Sequence, residues 1–109
     1  RMINEEELKS RLVDDLDCPI GQSEALTHKL LGMNAEVFQA FETWFRTGKS
    51  PDFRVEGFSV EDILRYRPQG NIISAYLALD WLKREPQRAK LLLTKPMLLN
   101  AQQYHKTKI

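Results

Sequence analysis

The chain has 109 residues, of which 42% are hydrophobic and 28% charged, with a formal net charge of +1. This length and composition are typical of a folded globular protein with one core rather than of a disordered chain. No apolar run reaches the ~20 residues of a transmembrane helix. The single cysteine, Cys18, excludes an internal disulfide. Because the first residues also lack the pattern of a signal peptide, we expect a reducing, cytoplasmic setting and no membrane partner.

Charge is distributed unevenly along the chain. Residues 1–42 carry four basic and nine acidic side chains, whereas residues 43–109 carry twelve basic and six acidic ones. Opposite charge on two parts of one chain favours association between copies, with electrostatics setting the orientation. A basic half also favours phosphate groups as a partner.

The first helix is predicted from about Glu5 to Leu16. Asn4 is a good N-cap, and the three glutamates that follow it suit the positive end of the helix dipole. Leu8, Leu12 and Leu16 recur every four residues and form one apolar stripe. Pro19 interrupts this pattern, because proline cannot continue a helix interior.

A second helix is predicted from Gln22 to Leu31. Its apolar residues Leu26, Leu30 and Leu31 are expected to face inward, and Gly32 is expected to be a left-handed cap. A third helix opens at Asn34, covers about 35–46 and ends at Gly48. Its apolar residues follow helical spacing and form the strongest apolar face of the chain; they are Val37, Phe38, Phe41, Trp44 and Phe45.

Residues 49–57 favour an extended connector, and two further helices follow it. Ser59 and Asp62 have the spacing of a capping box at the start of the fourth helix. Arg67-Pro68-Gln69-Gly70 ends that helix, and Asn71 caps a fifth helix at about 72–84. The fifth helix is apolar on nearly every side, which predicts a buried position.

The last part of the chain predicts a short helix over Gln87–Leu93 and leaves residues 97–109 open as either a final helix or a tail. The pattern as a whole predicts an all-α fold class. We expect a compact single domain over residues 1–109, with five to seven short helices and one extended connector at about 49–57. The ends, residues 1–3 and about 104–109, are expected to be flexible. Most of the core is expected from the helices at 35–46 and 72–84.

The apolar segment Met97-Leu98-Leu99 is the first candidate for a partner surface. Three large apolar residues after a proline either pack onto the core or remain available to another chain. On this basis we expect a small, non-catalytic interaction protein whose partner is another protein or a second copy.

Nucleic acid is the alternative partner. The helices at 59–67 and 72–84 have the layout of a helix-turn-helix, although the second helix has few outward polar side chains to contact bases. Clustered cations are sufficient for phosphate contacts. The predicted contacts are Arg65, Arg67, Lys83, Arg84, Arg88 and Lys90.

Catalytic and metal chemistry is not indicated. Neither His28 nor His105 is placed beside Cys18 by sequence, and the acidic residues around Cys18 favour the neutral thiol. The aspartates at 14, 15 and 17 lack the spacing of a calcium loop. We therefore expect no catalytic residue, no metal, no cofactor and no small-molecule substrate. Asp80, on the most apolar helix, is expected to be paired with an arginine or a helix start.

Overall fold

The structure is a computed structural model that describes residues 3–93, and these residues confirm the all-α class. Five helices are α1 (Glu5–Asp14), α2 (Ile20–Leu31), α3 (Ala35–Thr47), α4 (Val60–Tyr66) and α5 (Ile72–Arg84). A sixth, α6, covers residues 86–93. Within the described range there is no named β-strand, and an isolated antiparallel bridge joins Val55 to Phe58.

The chain divides into two units, Arg1–Lys49 and Ser50–Ile109. The first, called unit 1, contains α1, α2 and α3. The second, called unit 2, contains α4, α5 and α6. The division falls at the beginning of the predicted extended connector, and the prediction of a single domain stays a prediction.

In unit 1, α1 begins as its sequence predicts and ends earlier. The Asn4 side chain accepts a hydrogen bond of 2.8 Å from the backbone N–H of Glu6. The helix ends at Asp14, and beyond it Asp17 has a left-handed φ of 55° that turns the chain. The prediction that Leu16 continues the buried stripe is therefore wrong: Leu8 and Leu12 are buried, but Leu16 is 36% exposed.

The start and end of α2 both differ from prediction. The helix begins at Ile20, two residues early, because Pro19 occupies the N-cap position with a φ of −58°, which leads directly into a helix. Gly32 has φ −89° and ψ 3°, so the predicted left-handed cap is wrong. The Gly32 N–H instead donates a hydrogen bond of 3.0 Å to the carbonyl of His28.

The buried face of α2 is also not the predicted one. Ser23, Thr27 and Leu30 are buried, whereas Leu26 and Leu31 are half-buried. The two hydroxyls are satisfied inside the helix, because Ser23 Oγ donates to the Ile20 carbonyl at 2.8 Å and Thr27 Oγ1 donates to the Ser23 carbonyl at 2.6 Å. A polar face can be buried when its groups are bonded in this way.

The third helix confirms its prediction closely. Asn34 caps it, and Gly48 ends it with a left-handed φ of 76°. Val37, Phe38, Phe41 and Phe45 are buried and Trp44 is half-buried. The Phe41 ring lies 5.8 to 6.2 Å, between ring centroids, from three neighbouring aromatic rings of the same helix.

One arginine connects α1 to the C-terminal part of α3 within unit 1. The Arg11 guanidinium lies 4.2 Å from the centroid of the Phe45 ring and donates a hydrogen bond to the Phe45 carbonyl. Its Nε also contacts Asp15 Oδ2 at 3.2 Å. The contact with the ring contributes to the packing of α1 on α3. The hydrogen bond to the carbonyl satisfies a backbone acceptor in the last turn of α3.

In unit 2, the connector contains a tight turn rather than a strand. Glu56 and Gly57 have φ of 51° and 85°, the positive values that a two-residue type I′ turn needs at both central positions. The Arg54 guanidinium donates to the Gly57 carbonyl and to Asp62 Oδ2, each at 2.8 Å. Arg54 therefore joins the turn to the first turn of α4.

The predicted caps of α4 and α5 are confirmed. Ser59 and Asp62 form a reciprocal capping box, in which the Ser59 N–H donates to Asp62 Oδ2 at 3.0 Å and the Asp62 N–H donates to Ser59 Oγ at 3.1 Å. Asn71 and Ser74 form the same arrangement at the start of α5. These local bonds explain why both helices begin where their sequence predicts.

The burial of α5 is confirmed along most of its length. Its half-buried residues include Leu77 and Trp81, and its buried ones are Ile73, Ala75, Tyr76, Ala78, Leu79, Asp80 and Leu82. Asp80 forms the expected pair with an arginine, because Arg84 Nε lies 3.1 Å from Asp80 Oδ2. Tyr76 is 1% exposed, and burial raises the pKa of its phenol.

The capping box of α4 makes a pH-dependent contribution to stability. The backbone hydrogen bond from Ser59 lowers the pKa of the Asp62 carboxyl, opposed by burial and assisted by the Ser59 hydroxyl and Arg54. A lowered folded-state pKa stabilises the fold above the unfolded pKa of about 3.9, and this contribution is lost as pH falls through the folded pKa.

We therefore expect Asp62→Asn to reduce the acid dependence of the free energy of unfolding, measured by urea denaturation at a series of pH values below about 5. Asp52→Asn, which changes an exposed carboxylate of the same unit, is the matched control. Equal acid dependence in wild type and Asp62→Asn would show that Asp62 is not linked to folding.

Candidate functional site

A surface cleft lies between α1 and α2, and every residue that lines it belongs to unit 1. Its volume is about 400 Å³. Glu6, Lys9, Ser10, Val13 and Asp14 line it from α1, and Ile20, Ser23 and Glu24 line it from α2. Because α1 and α2 pack directly against each other, their adjacent turns hold these side chains on two rigid elements.

The apolar part of the cleft is unusually exposed. Val13 is half-buried on α1, and Ile20 is 78% exposed in the first turn of α2. Ile20 precedes Ser23 by three residues, so it lies on the same face of α2 as the buried Ser23. A large aliphatic side chain in this position loses contact with water only when another molecule covers it.

Acidic side chains surround this apolar part. Glu6, Asp14 and Glu24 line the cleft together with a single cation, Lys9, so the lining has an excess of two negative charges. Lys9 Nζ lies 3.8 Å from Glu6 Oε1, and Ser10 donates a 3.2 Å hydrogen bond to Asp14. These are exposed pairs of small energy, so the acidic groups remain able to contact a basic ligand.

The predicted nucleic-acid contacts are spread over three helices of unit 2 and the ends of those helices. Arg65, Arg67 and Lys83 are exposed. Three further cations lie beside carboxylates: Arg84 contacts Asp80 at 3.1 Å, Arg88 contacts Glu85 at 3.7 Å and Lys90 contacts Glu56 at 2.6 Å.

The charge balance of the described part of unit 2 differs from that of the C-terminal half as a whole. Residues 50–93 contain seven basic and six acidic side chains. Most of the surplus positive charge of residues 43–109 therefore belongs to residues 43–49 and 94–109. The second helix of the predicted helix-turn-helix, α5, has most of its side chains buried, and Ser74 uses its hydroxyl in the capping box.

The predicted partner segment, Met97, Leu98 and Leu99, lies outside the described residues. The neighbouring α6 is described, and two of its leucines are exposed: Leu91 by 73% and Leu92 by 51%. Ala89 and Leu93, on another face of this helix, are buried. The short helix predicted over Gln87–Leu93 thus turns its 89/93 face inward and leaves Leu92 at the surface.

The side chains considered for catalysis or metal binding have other contacts. His28 Nε2 lies 3.1 Å from Glu5 Oε1, and Cys18 Sγ lies 3.6 Å from the Pro19 carbonyl oxygen. Among residues 3–93 no group of three or more His, Cys, Asp or Glu side chains is arranged to hold a metal ion. In the same part of the chain, no helix has both the length and the apolar character that crossing a bilayer requires.

Comparison with protein-family models, with curated protein sequences and with solved structures found no significant match to this chain.

The cleft is not predicted by the apolar pattern of the sequence, although one signal for it is present. Ile20 directly follows a proline that interrupts the helical pattern, and the predicted second helix begins only at Gln22. Proline at a helix N-terminus indicates that Ile20 opens α2. The buried face of α2 includes Ser23 and Thr27, which apolar periodicity does not reveal.

We expect Ile20→Ser to change the free energy of unfolding by less than about 0.5 kcal/mol, because the side chain is mostly exposed and the two residues have similar helix propensities. Leu30→Ala, a buried position of the same helix, is expected to cost about 2–5 kcal/mol. Urea denaturation followed by circular dichroism measures both. A cost at Ile20 close to that at Leu30 would mean that Ile20 supports the fold.

Proposed function

We propose that this protein is a non-catalytic protein-interaction module and that the α1/α2 cleft is its binding surface. The observation that carries the proposal is the exposure of Ile20 inside an acidic cleft. Its partner is a basic amphipathic helix. A helix of this kind has apolar side chains at helical spacing that cover Val13 and Ile20 and cations that face the acidic rim.

The chemistry of the cleft supports a protein ligand rather than a small polar one. Burial of one large aliphatic side chain contributes about 1.5–3 kcal/mol, which is a substantial part of a weak interaction. The surrounding charges contribute mainly to specificity and to the rate of association. The combination is typical of a transient surface with an apolar centre and a charged rim.

We expect binding of a synthetic peptide of about 18 residues, long enough to be helical, with leucines at i, i+3 and i+4 spacing and lysines elsewhere. Titration into ¹⁵N-labelled protein is expected to shift the amide signals of Val13, Ile20 and Glu24. Higher salt weakens the interaction because the rim charges are exposed. Ile20→Ser is expected to reduce the affinity about tenfold.

Two controls test whether this binding is specific. A peptide with glutamate in place of lysine keeps the leucine pattern and should bind much more weakly. Glu24→Lys should weaken the lysine peptide, whereas Asp52→Lys, the same charge change outside the cleft, should not. Amide shifts that avoid the cleft, or an affinity that Ile20→Ser leaves unchanged, would contradict the proposal.

Nucleic acid stays the alternative partner, and the exposed positions of Arg65, Arg67 and Lys83 support it. If each of these three cations neutralises one phosphate of duplex DNA, affinity should fall roughly 40-fold between about 50 and about 200 mM salt. Fluorescence anisotropy with labelled mixed-sequence duplex measures this. Arg65→Ala with Arg67→Ala should remove most of the salt dependence, while Lys29→Ala should not change it. An absence of binding at the lower salt would reject this alternative.

A further inference from the structure

One face of α6 has the chemistry that the cleft requires. Leu91 and Leu92 are 73% and 51% exposed, and Arg88 is exposed beside them. Leu91 and Leu92 follow Arg88 by three and four positions, so each of them is a neighbour of Arg88 on the surface of the helix. We call Arg88, Leu91 and Leu92 the α6 stripe. It presents two aliphatic side chains together with one cation.

The α6 stripe and the α1/α2 cleft are complementary in both apolar and charged character. The cleft has Ile20 and Val13 with an acidic excess, and the α6 stripe has two leucines with a basic residue. Arg88 is paired with Glu85 at 3.7 Å, and both side chains are at least half exposed. Such a pair is worth little in water, so an acidic cleft can compete for Arg88.

We propose that the α1/α2 cleft of one copy binds the α6 stripe of a second copy of this chain. The inference rests on the proposed function, since it names the basic amphipathic helix that the cleft receives. A single contact of this kind joins two copies, and its repetition closes into a symmetric oligomer or extends into a chain of copies. In either case the mass in solution rises with protein concentration.

A reciprocal charge change tests the contact directly. Sedimentation equilibrium from about 10 µM to about 1 mM, the range of weak interactions, should show wild type above the monomer mass at the upper end. Glu24→Lys alone places two cations opposite each other, and Arg88→Glu alone places two carboxylates opposite each other, so each variant should stay monomeric. In an equimolar mixture, the unchanged cleft of one variant meets the unchanged stripe of the other, and the two changed surfaces again carry opposite charges. The mixture should therefore associate.

The mixture also controls for misfolding of the variants. If the two variants associate with each other, the Arg88→Glu variant has kept its cleft and the Glu24→Lys variant has kept its α6 stripe. Ile20→Ser and Leu91→Ser should each weaken association by about tenfold or more through loss of apolar burial. Asp52→Lys is the matched control and should associate as wild type does. Wild type that stays monomeric over the whole range, or a mixture that stays monomeric, would overturn the proposal.

The position of the contact is measured with the single cysteine. Cys18 lies in the chain between Asp14 and Ile20, which both line the cleft, and it is partly exposed. A spin label on Cys18 of a copy without ¹⁵N should broaden the amide signals of residues 88–93 in ¹⁵N-labelled Cys18→Ser protein. Broadening elsewhere, with residues 88–93 unaffected, would show association through another surface and would overturn this assignment.

The result for self-association is separate from the result for the proposed function. A chain that remains monomeric but binds the lysine–leucine peptide in its cleft keeps the proposed function and loses this inference. A chain that associates through residues 88–93 confirms the inference.

Discussion

The buried face of α2 depends on two hydroxyl hydrogen bonds inside the helix. Ser23 and Thr27 donate to the carbonyls of Ile20 and Ser23, and this allows a helix face with small polar side chains to be buried. Ile20 lies on the same face one turn earlier, where it is exposed. A large aliphatic side chain is therefore at the surface beside the acidic residues of both helices.

Unit 2 uses its charged groups differently. Arg54 joins the 55–58 turn to the capping box of α4, Lys90 pairs with Glu56 at the tip of that turn, and Arg84 compensates the buried Asp80. In each of these contacts a cation binds a carboxylate or a backbone carbonyl of the same unit. A count of basic residues therefore does not by itself define a phosphate-binding surface, because several of these cations lie beside carboxylates of the same unit that reduce the local positive charge.

The proposed self-association rests on a local difference in charge, because the whole chain has a net charge of only +1. The α1/α2 cleft has an excess of two negative charges, whereas the α6 stripe carries the single cation Arg88. Charge complementarity of this kind sets the orientation and the rate of association more than the affinity. In the proposal, burial of the apolar side chains of the two surfaces supplies most of the binding free energy.

Local chemistry in the sequence determined the all-α class, the starts of α1, α3, α4 and α5, and the left-handed end of α3 at Gly48, because caps and glycine act within a few residues. It also predicted that Asp80 is paired with an arginine or a helix start, and the structure has the pair with Arg84. Tertiary structure decided which face of α2 is buried, where α1 ends, that Leu16 and Leu92 are exposed, and that Ile20 lies in a cleft. Apolar periodicity could not show this, since helix burial depends on the shape and polarity of the opposing surface, which lies far away in the chain.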